Sequence, residues 1–350
     1  MVEFASKKMN SVLLDPREGF KETTVKPEFR FDPLTGETRR LGHFGMIKPQ
    51  KPDLESLDGP EIRKRCPFCP DNIDKMTPRY PADVLEAGFL QKGEARLVPN
   101  IAPYDLYSGL CIISEKHLLK LEDMSEKILK DSFELSFSFY NNLSQKEPET
   151  AFWFLGWNYM PPSGGGLIHP HQQVVASTEP GNFHRKLLVE SKKYKREHGK
   201  EFWDELCQKE KEIGERFIKE GKNVNWIVSF APLGVVGEYI ALFPGRKTLD
   251  ELDDESINEF VSDLRNLFNY FISEDIYSFN FGLYFAPQKE VKEGLDGEGF
   301  TLQARIIPRV FLNLDVRPPD ANVLQMLMQE PFSVVYPEEL CKGVKPYLDR

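Results

Sequence analysis

The chain has 350 residues, a formal net charge of −10 and a hydrophobic fraction of 40%, with 26 Phe and 4 Trp. That apolar content can fill a large core and excludes global disorder, and the length suits two domains or one duplicated fold. The acidic balance repels a phosphate backbone, which argues against nucleic-acid partners, but not against a small phosphorylated ligand in a locally basic pocket. No window has the length of a membrane span, and Met1 to Asn10 carries no long apolar stretch. Five Cys, an odd number, fit reduced thiols in a soluble, cytoplasmic protein.

Residues 1 to about 65 are rich in Pro, Gly and charge, with short strand-like pieces. Arg30 to Glu37 reads as a turn between extended segments. Cys66-Pro67-Phe68-Cys69-Pro70 follows. An ordered series then begins with an extended stretch, Ala95 to Pro103, and a strand, Leu106 to Ser114. Asp123 or Ser125 caps a helix reaching about Leu143, with Ile128, Leu129, Phe133 and Phe137 at helical spacing. Strands are predicted near Phe152 to Gly156 and Ile168 to Ser177.

The series then repeats. Strands over Asn225 to Phe230 and Gly237 to Phe243 precede a helix near Asp253 to Ile272, with Ile257, Phe260, Val261, Leu264 and Leu267 on one face. Strands near Ser278 to Phe285 and Phe300 to Ile307 close it. Ala102-Pro103 aligns with Ala231-Pro232, and Glu115-Lys116-His117 with Pro244-Gly245-Arg246 at the same offset. The shared order predicts an internally duplicated α+β fold. Between the copies, Phe183 to Gly221 is dense in Lys and Glu and reads as a solvated helix ending at Gly221, without chemistry. The predicted division is 1–185, a charged helical connector at 186–222, and 223–350.

Two clusters carry candidate chemistry. Cys66 and Cys69 have C-x-x-C spacing, which brings two sulfurs to one tetrahedral metal site. Alone that spacing also fits a redox pair or coincidence. Pro67 and Pro70 favour a rigid knuckle, with no Cys-led helical pattern following. His117 and His169 are candidates to complete a Cys2His2 set, a closed structural zinc site. The second cluster is Gly164-Gly165-Gly166-Leu167-Ile168-His169-Pro170-His171-Gln172-Gln173. Residues two apart on a strand share a face, so His169 and His171 project together. One imidazole can be held by metal while its neighbour attacks an electrophile, and the glycine backbone can approach phosphate oxygens.

His169-Pro170-His171-Gln172-Gln173 resembles the H-P-H-x-Q motif of galactose-1-phosphate uridylyltransferases of the histidine-triad superfamily, built from two fused, related halves. The likeness covers roughly Phe31 to Ile307 and is specific at this motif and the zinc ligands. It implies an α+β fold of two histidine-triad-like halves, each an antiparallel sheet with packed helices, the second degenerate. It implies that His171 attacks a nucleotide sugar and carries the nucleoside monophosphate, and that Gln173 bonds the phosphoryl oxygens. Asn158 is similar to the family's phosphate-contacting Asn and Asn100 to the one near the nucleotide, with Gly164, Gly165 and Gly166 beside the phosphates. Cys66, Cys69, His117 and His169 resemble the zinc ligands. The implied partners are a nucleotide sugar and a sugar 1-phosphate, or phosphate, in a homodimer.

The sequence departs from that pattern in places. Leu302-Gln303-Ala304-Arg305 stands where relatives place a second histidine pair, so one zinc is expected, and Arg305 is expected in an ion pair rather than on phosphate. Gly166 replaces a serine. Arg309 to Asp315 lacks the family's hexose-binding pattern, which leaves the base and the acceptor open: an adenylyl-sugar phosphorylase or hydrolase is the alternative, and a non-catalytic zinc-stapled binding protein a third reading. The Pro170 carbonyl is expected to orient the His171 ring. Cys111, Cys207, Cys341, His184 and His198 show no ligand spacing, and His43 reads as a surface turn.

Overall fold

The computed structural model describes residues 1–42, 49–103, 105–147, 149–289, 291–312 and 323–349. His43 and the stretch from Asn313 to Asp315 lie outside them. Five short strands come first: β1 (Ser6–Lys8), β2 (Ser11–Asp15), β3 (Lys21–Val25), β4 (Glu28–Phe31) and β5 (Thr38–Leu41). The turn expected after Arg30 joins β4 to β5, where Asp32 Oδ1 accepts from the backbone N–H groups of Leu34 and Thr35. Helices α1 (Pro60–Arg65) and α2 (Pro70–Met76) flank the Cys66–Cys69 turn. The apolar pattern gives no helix after Cys69, yet α2 begins there. Cys69 is its N-cap, and Pro70 starts it where a missing N–H costs nothing.

The main sheet takes β6 (Leu90–Lys92), β7 (Ala95–Pro99) and β8 (Tyr107–Ile112) before helix α3 (Glu126–Lys146), then β9 (Phe152–Tyr159) and β10 (His171–Ser177). Helices α4 (Asn182–His198) and α5 (Phe202–Ile213) follow. Strands β11 (Phe217–Glu220), β12 (Asn225–Val228) and β13 (Tyr239–Leu242) precede α6 (Asp254–Ser273), and β14 (Ser278–Tyr284) and β15 (Gln303–Arg309) finish the sheet. These strands pair in the order β11-β12-β13-β15-β14-β9-β10-β8-β7-β6, all antiparallel. Read from either outer edge inward, each half repeats the same series of connections, and the two halves meet at β9 and β14. The fold is α+β, two related halves fused into one sheet.

Helices α3 and α6 cover one face of that sheet. Ser125 caps α3 by accepting from Ile128 N–H, and Asp253 caps α6 by accepting from Ser256 N–H. Phe133 of α3 packs on Phe260 of α6 and Phe281 of β14, and Trp157 of β9 on Phe268 and Phe279. Each such fully buried aromatic contributes about 2–3 kcal/mol through apolar burial. On the opposite face, α4 and α5 cover mainly the second half, packing Leu187, Leu188, Phe202 and Trp203 against Ile227, Ile240 and Leu242, and reach the first half at Phe152. The first half's corresponding face stays open to the Cys66–Cys69 segment and the candidate site.

The charged connector differs from expectation. It is two helices and a strand, not one helix to Gly221. Gly199 and Gly214 end the helices in the left-handed region, with φ of 67° and 76°. The charge run conceals apolar anchors, Leu187, Leu188, Phe202, Trp203 and Leu206 among them, that pack on the sheet. At the C-terminus, α7 (Val323–Met326) leads to β16 (Phe332–Ser333), parallel to β5, and α8 (Pro337–Leu348). Arg30 of β4 donates to Glu338 of α8 at 2.9 Å and to the Phe230 carbonyl at 3.1 Å, tying both chain ends to the second half. No helix among the described residues is long and apolar enough to cross a membrane.

Candidate active site and metal centre

Cys66 and Cys69 stand on the turn between α1 and α2, His117 on the loop after β8, and His169 just before β10. All four side chains are buried, and their ligand atoms lie within 4.8 Å of one another. His169 Nδ1 is 3.7 Å from Cys66 Sγ and 3.8 Å from Cys69 Sγ, and His117 Nδ1 is 3.4 Å from Cys69 Sγ. A tetrahedral zinc with ordinary Zn–S and Zn–N bonds separates such atoms by about 3.5–3.8 Å. The donor set therefore fits the ion. Burial pushes the Cys69 thiol up to about 12 and His169 down to about 4. Neutral imidazoles are ready ligands, whereas buried thiolates call for a cation. His169 Nε2 lies 2.7 Å from the Ser114 carbonyl oxygen, which only accepts, so Nε2 carries the proton and Nδ1 keeps the lone pair facing the sulfurs.

The same logic fixes His171. Its Nδ1 lies 2.9 Å from the carbonyl oxygen of His169, so Nδ1 is protonated and Nε2 presents the lone pair. The expected partner, the Pro170 carbonyl, instead accepts from Ile113 N–H. The chain pairs with β8 at that point, which turns Pro170 O into the sheet ladder. Burial holds the His171 imidazole below its usual value, favouring the neutral, nucleophilic form. Phe68, inside the C-x-x-C segment, meets the His171 ring edge-on at 5.1 Å and so couples the knuckle to it.

From His171 on, β10 alternates faces. Gln172, Val174 and Ala176 turn to the α3 side, where Gln172 bonds Ser132 and Ser136. His171, Gln173 and Val175 take the open face. On β9 that face carries Asn158. Across the seam Asn158 stands opposite Asn280, and Gly156 stands opposite Gln173 on one side and Gly282 on the other. Asn158, Gln173, Asn280, Tyr284, Arg305 and Ile307 line a cleft of about 270 Å³. His171 stands one pleat from Gln173 on the same strand face.

The glycine run begins at Gly164, in the left-handed region at φ 88°. A Cβ on Gly165 would come within 3.0 Å of the Asn158 carbonyl oxygen, so the loop lies directly on β9. Met160, where β9 enters this loop, holds φ 67° and ψ 161°, a conformation that costs a non-glycine residue about 1–3 kcal/mol. Such strain is concentrated at working sites.

Asn100 stands apart from His171, its Oδ1 accepting from Ala102 N–H in a local turn beyond β7. Arg305 makes the expected ion pair, 2.5 Å from the fully buried Glu238, and also donates to Gln303. His184 is buried and bonds the Phe285 carbonyl. Sequence reasoning missed Asn280. The available signal was Asn280-Phe281-Gly282 on β14, which mirrors Gly156-Trp157-Asn158 on β9 in reverse with one aromatic for another.

No protein-family model matches the chain. An uncharacterized protein of Archaeoglobus fulgidus is 28% identical over 326 residues, 91% of each chain. The structure resembles an ADP-glucose phosphorylase from Arabidopsis thaliana with bound ADP-glucose, at TM-score 0.66 and 16% identity over 91% of this chain and 98% of that one. It also resembles a uridylyltransferase, at TM-score 0.63 and 18% identity over 92% and 98%. The chain has the fold of these uridylyltransferase-like structures. In that fold the seam between the halves sets Asn158 beside Asn280, and Phe68 of the Cys66–Cys69 turn packs against His171.

Proposed function

We propose that the protein is a nucleotidyltransferase that takes a nucleoside monophosphate from a nucleotide sugar onto His171. The observation carrying this reading is the His171 tautomer: Nδ1–H is committed to the His169 carbonyl, leaving the Nε2 lone pair to attack. In the first step Nε2 bonds the α-phosphorus and the bond from that phosphorus to the bridging oxygen breaks, releasing sugar 1-phosphate. In the second step an acceptor phosphate oxygen bonds the same phosphorus and the P–Nε2 bond breaks. The proton on Nδ1 stays put through both, and its bond to the carbonyl stabilises the positive charge on the intermediate's ring. Neutral imidazole approaches a phosphodiester without the repulsion an anion would meet. Gln173, Asn158 and the Gly164–Gly166 backbone would bond the non-bridging oxygens.

Cys66, Cys69, His117 and His169 would hold one zinc. With four protein ligands it supplies a structural tie and leaves no position for a reacting water. The acceptor follows one of two readings. With UMP as the moving group, a hexose 1-phosphate accepts it, as the motif resemblance suggests. The missing hexose pattern after Pro308 and the likeness to an ADP-glucose phosphorylase favour a second, with inorganic phosphate accepting AMP. Phosphorus NMR of reactions holding UDP-glucose or ADP-glucose with phosphate or galactose 1-phosphate separates them. ADP formed from ADP-glucose and phosphate selects the phosphorylase. UDP-galactose formed from UDP-glucose and galactose 1-phosphate selects the transferase. Glucose 1-phosphate released with neither donor would reject the proposal.

A further inference from the structure

The second half has lost the histidine pair, but it reaches into the first half's site through one side chain. Asn280 Nδ2 donates to Asn158 Oδ1 at 2.7 Å and to the Ser163 carbonyl at 2.9 Å, and Asn280 Oδ1 accepts from Arg309 Nη1 at 2.6 Å. Two of these partners have one-way chemistry: a guanidinium only donates, and a backbone carbonyl only accepts. Both force the same orientation on Asn280, oxygen to Arg309 and NH₂ to Ser163. With its amide so fixed, Asn280 offers Asn158 a donor. Asn158 must answer with its oxygen, which turns its own NH₂ the other way.

We infer that Arg309 and Asn280 form an orientation relay that fixes Asn158 with its NH₂ toward the phosphoryl group carried by His171. The inference rests on the function proposed above and adds to it two positioning residues from the second half. An amide can present either end at almost equal cost. The wrong end would set an oxygen against phosphate oxygens, so a donor-only residue at the head of the chain removes the ambiguity. The second half is thereby required for chemistry performed on the first.

The test is a double-mutant cycle on the rate of nucleotidyl-His171 formation, with AMP and UMP affinity by calorimetry as a second readout. In Asn280→Asp the carboxylate accepts where Asn280 donated, and it keeps an ion pair with Arg309. The relay predicts that Asn158 flips and that adduct formation slows at least 100-fold, with little change in half-saturating donor or in AMP and UMP affinity. Asn158→Ala should be slow to a similar degree, and the double variant N158A/N280D no slower than N158A alone. A separate structural role for Asn280 predicts losses that multiply. Wild-type rates in N280D, or multiplicative losses, overturn the relay while leaving the nucleotidyltransferase reading intact. A wild-type protein that forms no adduct and binds neither nucleotide overturns both.

Discussion

The His169 carbonyl oxygen lies 2.9 Å from His171 Nδ1, while the His169 ring faces Cys66 and Cys69. One residue thus joins the Cys2His2 cluster through its side chain and selects the tautomer of His171 through its backbone. Anything that moves His169 moves the His171 ring.

Protein purified without chelator should carry about one zinc per chain by elemental analysis. Cys69→Ser should lose it. Adduct formation should then fall about 10- to 100-fold, the range for disturbed supports of a site, because Phe68 and the His169 carbonyl lose their anchor. Native protein without zinc would refute the assignment of these four ligands.

Gln172 and Gln173 are chain neighbours on opposite faces, and their variants should fail differently. Gln173→Ala removes a cleft side chain and should slow transfer by about 10²–10³-fold with folding unaffected. Gln172→Ala removes its bonds to the Ser132 and Ser136 hydroxyls and empties a fully buried volume, and should lower stability by about 1–3 kcal/mol with turnover largely kept. Denaturant midpoints and initial rates on both variants check the contrast, and the reverse pattern would show the strand faces misassigned.

His184 gives stability a pH dependence. Burial pushes its pKa down to about 4 from 6.5. Between those values the unfolded chain takes up a proton that the folded chain refuses, so its contribution is complete above pH 6.5 and is lost as pH falls toward 4. The loss is on the order of 3 kcal/mol. His184→Gln can still donate to the Phe285 carbonyl but does not titrate. Its urea midpoint should fall less steeply over that window, and an unchanged slope would exclude His184 as the source.

Much of this was legible in sequence because the signals are local. Ser125 and Asp253 cap helices α3 and α6, and the repeated order of elements became a sheet that reads alike from both edges. The Cys66, Cys69, His117 and His169 ligand atoms, drawn from separate stretches of the sequence, come within 4.8 Å of one another. What failed depended on tertiary partners or on a choice between equivalent signals. Gly199, Gly214 and Gly221 all suit a helix end, and only packing of Phe202 and Trp203 shows that the first two act as caps. Pro170 and His169 both offer a carbonyl to His171, and the ladder bond from Ile113 decides which is taken. Asn280 is silent alone, because its meaning comes from a strand pairing with a residue 122 positions away.

The most direct test is the intact mass of the protein after brief exposure to ADP-glucose or UDP-glucose, with His171→Asn beside it. The account predicts a gain of one nucleoside monophosphate from one donor, mapped to His171. The variant should gain nothing while keeping its zinc and its unfolding midpoint. An equal gain in the variant, or wild-type turnover of either donor with the adduct on another residue, would contradict nucleophilic attack by His171.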